Sequence, residues 1–114
     1  MAESFFVRID NDVTQFDVSL TVETYKTIFV CRVVYGTADK PRKMPIYGAT
    51  VWQAFLTGLK ILFAELKAFE RGRDARFFYS HESATADKDR RSVEEIFIHM
   101  GPLDARDTAP EVPQ

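Results

Sequence analysis

The sequence predicts a single α+β domain in which an antiparallel sheet of three to four strands packs on one long helix. Residues 1–35 alternate between apolar and polar side chains in three successive runs, which is the period of a strand. Residues 51–71 instead carry large apolar side chains three or four positions apart, which is the period of a helix. A chain of 114 residues is long enough to bury one modest core.

Three strands are predicted at residues 4–10, 13–23 and 25–35. The second is the cleanest, because from Phe16 to Val22 every other residue is large and apolar, as in a strand with one wet face. The third is largely apolar on both sides, which predicts a central position in the sheet. The connections are short, so the three strands should form an antiparallel meander.

Residues 36–48 are interpreted as an irregular linker between the sheet and the helix. They contain two prolines and two glycines, which interrupt regular structure. They also contain a basic cluster, formed by Lys40, Arg42 and Lys43.

The long helix is predicted from about Val51 to Arg71. Thr50 with Gln53 three positions on has the capping-box pattern, and Gly72 is suited to end a helix. The large apolar residues predict a core stripe, formed by Trp52, Phe55, Leu56, Leu59, Leu62, Phe63, Leu66 and Phe69. Mostly small residues form a second line that would let another backbone approach: Ala54, Gly58, Ile61, Glu65 and Ala68.

Beyond the helix, residues 73–80 contain three consecutive aromatic residues and predict a fourth strand at the edge of the meander. Residues 81–91 are polar and without a period, so we interpret them as a loop. Ser92 with Glu95 repeats the capping-box pattern and predicts a short C-terminal helix.

Two further interpretations concern the C-terminal end. Residues 93–100 are predicted as helix, and a fifth strand in this segment is the alternative because it contains consecutive β-forming residues. The domain is predicted to span residues 1–101, and residues 102–114 form an acidic, proline-containing tail.

Charge is unevenly distributed along a chain whose net charge is −2. Residues 37–76 contain eight basic and four acidic residues, and residues 92–114 contain one basic and five acidic residues. A dedicated nucleic-acid-binding protein is more often basic overall. The N-terminus lacks the basic start and apolar run of a signal peptide, and the one cysteine excludes an internal disulfide, so we expect a cytoplasmic protein.

Candidates for chemistry are few in this sequence. The possible metal ligands Cys31, His81 and His99 fall in three separate elements, and Glu95 with His99 is a pattern more typical of a surface contact. Cys31 lies mid-strand among apolar neighbours, which predicts an inert buried thiol. We therefore predict no catalytic site, no metal and no cofactor.

Protein binding is the predicted function. A mid-helix glycine costs up to about 1 kcal/mol relative to alanine, so Gly58 suggests a close contact. That contact is predicted with a partner, including a second copy of the chain through the helix or a strand edge; the C-terminal helix of the same chain is the alternative. The candidate protein-binding residues are Gly58, Ile61, Glu94, Glu95, Asp104, Asp107 and Glu111.

Nucleic-acid binding is the alternative function. Cations beside aromatic residues can hold phosphates while bases stack on the rings. The candidates lie in the basic linker and near the helix C-terminus: Lys40, Arg42, Lys43, Arg73 and Arg76.

The segment Pro45-Ile46-Tyr47-Gly48, followed by Trp52-Gln53-Ala54-Phe55-Leu56 and by Leu66 and Glu70, resembles a group of small bacterial proteins of unknown function. The resemblance implies a meander, a glycine turn and a long helix, and it implies no site residues. We expect no membrane association, because polar and charged residues interrupt the apolar run of the helix: Thr57, Lys60, Glu65 and Lys67. Phe55 stands where that group has leucine. We expect a non-enzymatic bacterial protein that binds another protein, as a homodimer or as an immunity-type inhibitor whose acidic C-terminal end meets a basic target.

Overall fold

The computed structural model describes residues 1–98, and it confirms the α+β class. The elements in chain order are β1 Ala2–Ile9, β2 Asp12–Tyr25, β3 Ile28–Gly36, β4 Arg42–Gly48, α1 Val51–Gly72, β5 Arg76–Phe78, α2 His81–Ala86 and α3 Val93–Ile98. The strands form one antiparallel sheet in the order β4-β3-β2-β1-β5. Helix α1 packs on one face of this sheet, as predicted.

The first three strands form the predicted meander. The turns before β2 and before β3 use Asp10 and Lys26, each with a φ of 57°. The register sets Phe5 opposite Phe16 and Leu20 opposite Val33, which brings the apolar positions of the three strands onto one face. Strand β3 is an interior strand that pairs with β2 and β4, as its two apolar faces predict, and β2 is the middle strand.

Residues 42–48 are a strand, so the prediction of an irregular linker through residue 48 is wrong. β4 pairs with β3 along its whole length, and it is an edge strand. Pro45, opposite Arg32, is tolerated there because an edge strand needs hydrogen-bond partners on one side only. The connection is only residues 37–41, where the Lys40 N–H donates to the Thr37 carbonyl at 3.1 Å.

Helix α1 begins at the predicted cap. The Thr50 hydroxyl accepts from the Gln53 N–H at 3.0 Å. The Gln53 side chain accepts from the Ala49 N–H at 2.6 Å, one residue before the position that a standard capping box would use. At the other end the Arg73 N–H donates to the Phe69 carbonyl at 3.2 Å.

The buried line of α1 differs from the predicted core stripe. The residues buried on the helix are Ala54, Gly58, Leu59, Leu62 and Leu66. Trp52 is 66% exposed and Leu56 is 39% exposed, so their assignment to the core is wrong. The helical period is confirmed, but the face of the helix that meets the sheet includes the small residues Ala54 and Gly58.

Gly58 lies directly against β3. A Cβ added at this position would lie 2.6 Å from the Cys31 Sγ and 3.3 Å from the Val33 Cγ2. The close approach that this glycine permits is therefore to the chain's own sheet, and not to a partner or to the C-terminal helix.

Strand β5 pairs with β1 at the second edge of the sheet, as predicted, but it has only three residues. The predicted loop that follows contains α2. The Ser80 hydroxyl caps this helix by accepting from the Ser83 N–H at 3.1 Å, and Asp87 ends it in the left-handed conformation. A six-residue helix with one buried side chain, Ala84, is too short to show a hydrophobic period.

The segment after Ser92 is helix and not strand as far as the described residues reach. Ser92 and Glu95 form the predicted reciprocal cap: the Ser92 N–H donates to Glu95 at 2.9 Å, and the Glu95 N–H donates to Ser92 at 3.1 Å. Phe97 packs edge-on to Phe63 of α1 with ring centroids 5.0 Å apart. The predictions for residues 99–114, including the boundary at residue 101, lie outside the described residues.

The core lies between the sheet and the helices α1 and α3. At its centre Phe16 contacts Phe69 of α1 at 5.1 Å and Phe77 of β5 at 5.3 Å between ring centroids. On the other face of the sheet α2 covers β1, where the Arg8 guanidinium donates to the Ala84 and Thr85 carbonyls at 3.0 and 2.9 Å.

Candidate functional site

Helix α1 carries a different surface at each end. The first is an apolar patch in its first two turns, formed by Val51, Trp52, Phe55 and Leu56. The Trp52 ring meets Phe55 edge-on with ring centroids 6.4 Å apart, and Trp52 is 66% exposed. From residue 51 to residue 64 the only charged residue is Lys60.

The two edges of the sheet are less suited than this patch to bind another chain. β4 contains Pro45, which has no N–H to donate, and begins with two cations. β5 is short, and its outer side is bridged by Arg91, whose N–H donates to the Phe77 carbonyl at 2.8 Å. The β5 edge is therefore partly covered, and the proline and the cations of β4 disfavour pairing of that edge with a second copy.

The second surface is a cleft of about 580 Å³ between the β3–β4 connection and the C-terminal half of α1. We call it the basic cleft, because Lys40, Arg42 and Arg73 line it together with a single carboxylate, Glu65. Its apolar walls include Phe69.

At the cleft, Tyr35 of β3 donates a hydrogen bond to the Glu65 carboxylate of α1. Burial raises the pKa of Tyr35 to about 12; the hydrogen bond and the charge of Glu65 raise it too, whereas Arg42 and Arg73 lower it. The phenol is therefore a neutral donor across the physiological range.

The structure brings together three of the five predicted nucleic-acid-binding residues. Lys40, Arg42 and Arg73 meet at the basic cleft. Lys43 follows Arg42 in β4, and a strand points successive side chains to opposite faces. The Lys43 side chain therefore points to the face of the sheet away from α1. Arg76 lies opposite Arg8, which is on that same face, and the Arg76 guanidinium lies 3.4 Å from the Asp87 carboxylate.

The predicted protein-binding residues are more dispersed. Gly58 is buried and Ile61 is half-buried. Glu94 and Glu95 are exposed but engaged within the chain, by the Lys67 ammonium at 2.7 Å and by the Ser92 cap. The remaining three, Asp104, Asp107 and Glu111, lie outside the described residues.

The contacts with Lys67 and with Ser92 also lower the pKa values of the Glu94 and Glu95 carboxyl groups. The hydrogen bond from Lys67 lowers the pKa of Glu94. Hydrogen bonds from the Ser92 backbone and side chain lower the pKa of Glu95. Both carboxylates therefore remain charged at neutral pH and below.

Cys31 is completely buried, as predicted, and burial raises the pKa of its thiol, which disfavours the nucleophilic thiolate. Across residues 1–98, no three side chains of the histidine, cysteine, aspartate and glutamate types converge on a point where a metal could bind. In the same part of the chain no helix has the length and apolar character needed to cross a membrane.

Sequence reasoning missed the Tyr35–Glu65 pair and the exposure of Trp52. The two partners are 30 residues apart, on a strand and a helix, and no local pattern links them. A signal for the patch was present, because fourteen residues with one charge is a low density for a helix with a solvated face.

No protein-family model, curated protein or solved structure matches this chain. The resemblance to small bacterial proteins thus stays a prediction.

Proposed function

We propose that this is a non-enzymatic, cytoplasmic protein that acts by binding protein, and that its apolar patch joins two copies of the chain. The observation that carries the proposal is Trp52, a large aromatic side chain held exposed in a nearly uncharged stretch. Exposed apolar groups that are clustered mark interaction sites, and tryptophan is enriched among the residues that dominate binding energy.

A second copy is the partner that the charge pattern fits best. In a two-fold interface the same patch meets itself, so any charge within it would face a like charge. The patch contains no charged side chain, and Lys60 lies one turn beyond Leu56. Trp52 and Leu56 are four residues apart on one helix face, a spacing that suits packing against another helix.

The immunity-type alternative would use the acidic residues near the C-terminus. Glu94 is already paired with Lys67, and Glu95 caps α3, so binding a basic target would compete with contacts inside the chain. The geometry therefore supports self-association better than it supports this form of inhibition.

The test is the solution mass by light scattering, at low and at high salt. We expect about twice the 13.1 kDa chain mass in both, because an apolar interface is insensitive to screening. Trp52→Ser should give a monomer with an unchanged circular dichroism spectrum. Tyr25→Ser is the matched control, since Tyr25 is also an exposed aromatic but lies on the opposite face of the sheet.

Two results would contradict the proposal. One is a monomer at all concentrations that captures a basic protein and releases it in high salt, which would favour the acidic end. The other is a monomer that dimerises only after residues 102–114 are removed, which would mean that the chain covers its own patch.

A further inference from the structure

We propose that the basic cleft binds the phosphate group of a small phosphorylated molecule. The site lies at the opposite end of α1 from the apolar patch, so this inference is independent of self-association. Its cations come from three separate segments: Lys40 from the β3–β4 connection, Arg42 from the start of β4, and Arg73 from the cap of α1.

The three cations of the cleft are not neutralised by the described part of the chain. Within residues 1–98, no carboxylate oxygen lies within 4.0 Å of a side-chain nitrogen of Lys40, Arg42 or Arg73, in contrast to the other cations that form ion pairs. Three like charges converge at one cleft that a single carboxylate, Glu65, also lines, which leaves an excess of positive charge available for an anion.

Arg73 is held in place before any ligand arrives. Its guanidinium carbon lies 5.0 Å from the centroid of the Phe69 ring, within the range of a cation–π contact. Its backbone N–H is fixed by the bond to the Phe69 carbonyl. A guanidinium stacked on a ring still presents its N–H donors at its rim, and these suit the bidentate recognition of phosphate.

Charge counting favours a dianion over a monoanion. Three cations against the Glu65 carboxylate leave two positive charges, which matches a phosphate monoester near neutral pH. The C-terminal end of α1 contributes a partial negative charge of about half a unit, which reduces this excess without reversing it. Glu65, which accepts from Tyr35, has lone pairs left for a hydroxyl or amine of the same ligand.

The dimensions favour a small molecule over a nucleic-acid strand. A cleft of about 580 Å³ falls within the range of small-ligand sites, and Ile9, Ala68 and Phe69 supply apolar wall. A strand would need cations along a continuous track, but Lys43 and Arg76 project from the opposite face of the sheet.

The test is titration calorimetry with phenyl phosphate and with benzoate, at constant ionic strength and neutral pH. Phenyl phosphate should bind at least about tenfold more tightly than benzoate, because it carries the second charge. Arg42→Gln and Arg73→Gln should each weaken phenyl phosphate binding by about tenfold or more.

The matched controls are Lys43→Gln and Arg71→Gln, which remove the same charge one or two residues away but outside the cleft. They should leave the dissociation constant within about twofold of the unsubstituted protein. Thermal melting of all four variants checks that each is folded.

Equal effects of Arg42→Gln and Lys43→Gln would overturn the proposal, since they would indicate diffuse attraction by surface charge. Equal affinity for phenyl phosphate and benzoate, or no binding of either, would overturn it as well. Tighter binding of an oligonucleotide, with steep salt dependence and sensitivity to Lys43→Gln and Arg76→Gln, would replace it by the nucleic-acid alternative.

Discussion

The two halves of α1 meet the same sheet but present different surfaces. Residues 51–64 contain one charged residue and leave Trp52 in solvent, whereas residues 65–72 contain four charged residues and form one wall of the basic cleft. Burial is continuous along the helix, from Ala54 to Leu66. The helical period decides which residues are buried against the sheet, and the residues that stay exposed decide what the helix can bind.

The difference between the halves also reflects what lies beside them. At about 1.5 Å per residue, 22 residues extend about 33 Å. Helix α3 lies beside the part of α1 where the two halves meet, through the Phe63–Phe97 and Lys67–Glu94 contacts. Both of these contacts lie beyond the first two turns of α1, where the apolar patch begins.

The largest expected effect comes from a pair of identical substitutions in α1. Leu62→Ala should lower the free energy of unfolding by about 2–5 kcal/mol, because Leu62 is completely buried and its loss leaves a cavity. Leu56→Ala should cost the monomer less than about 1 kcal/mol, since Leu56 is partly in solvent.

Urea denaturation of each variant in the Trp52→Ser background measures both values without a contribution from self-association. Equal losses would mean that the exposed and buried lines of the helix have been assigned to the wrong faces.

The next largest expected effect is a dependence of the free energy of unfolding on pH, which tests the C-terminal half of α1. Because the folded-state pKa of Tyr35, about 12, exceeds that of an unfolded tyrosine, its stabilising contribution is complete below about pH 10 and is lost as the pH rises toward 12. The loss should total about 2–3 kcal/mol, at up to about 1.4 kcal/mol per pH unit.

Tyr35→Phe should remove most of this slope, as measured by urea denaturation at intervals from pH 8 to pH 11.5. Burial also raises the pKa of Tyr79, so Tyr79→Phe is the comparison variant and should reduce the slope less. An unchanged slope in Tyr35→Phe would show that the phenol is not buried beside Glu65.

The smallest effect concerns Gly58, between the two halves. Gly58→Ala gains about 1 kcal/mol of helix propensity and loses about 1–3 kcal/mol by crowding Cys31, so we expect a net loss of about 1 kcal/mol. In a double-mutant cycle Cys31→Ala should recover at least about 0.5 kcal/mol of the loss.

A lower solution mass for Gly58→Ala at unchanged stability would contradict this account. It would place the glycine in a contact between chains, where the sequence alone had put it.

Local chemistry made much of the fold predictable. The Thr50 and Ser92 caps depend on residues within a few positions of one another, and each formed where the pattern predicts. Strand β4 escaped prediction because Pro45 argues against a strand unless the strand is known to be at an edge. That knowledge depends on sheet order, which is not local.

By itself, the sequence determined the α+β class, the meander, the bounds of the long helix and the burial of Cys31, because periodicity, caps and turns act over short distances. Only the tertiary structure decided which line of α1 meets the sheet, and hence that Gly58 is covered and Trp52 is not. It also decided that Tyr35 meets Glu65 and that Lys40, Arg42 and Arg73 share a cleft. These outcomes depend on sheet order and register, which set distances between residues far apart in the chain.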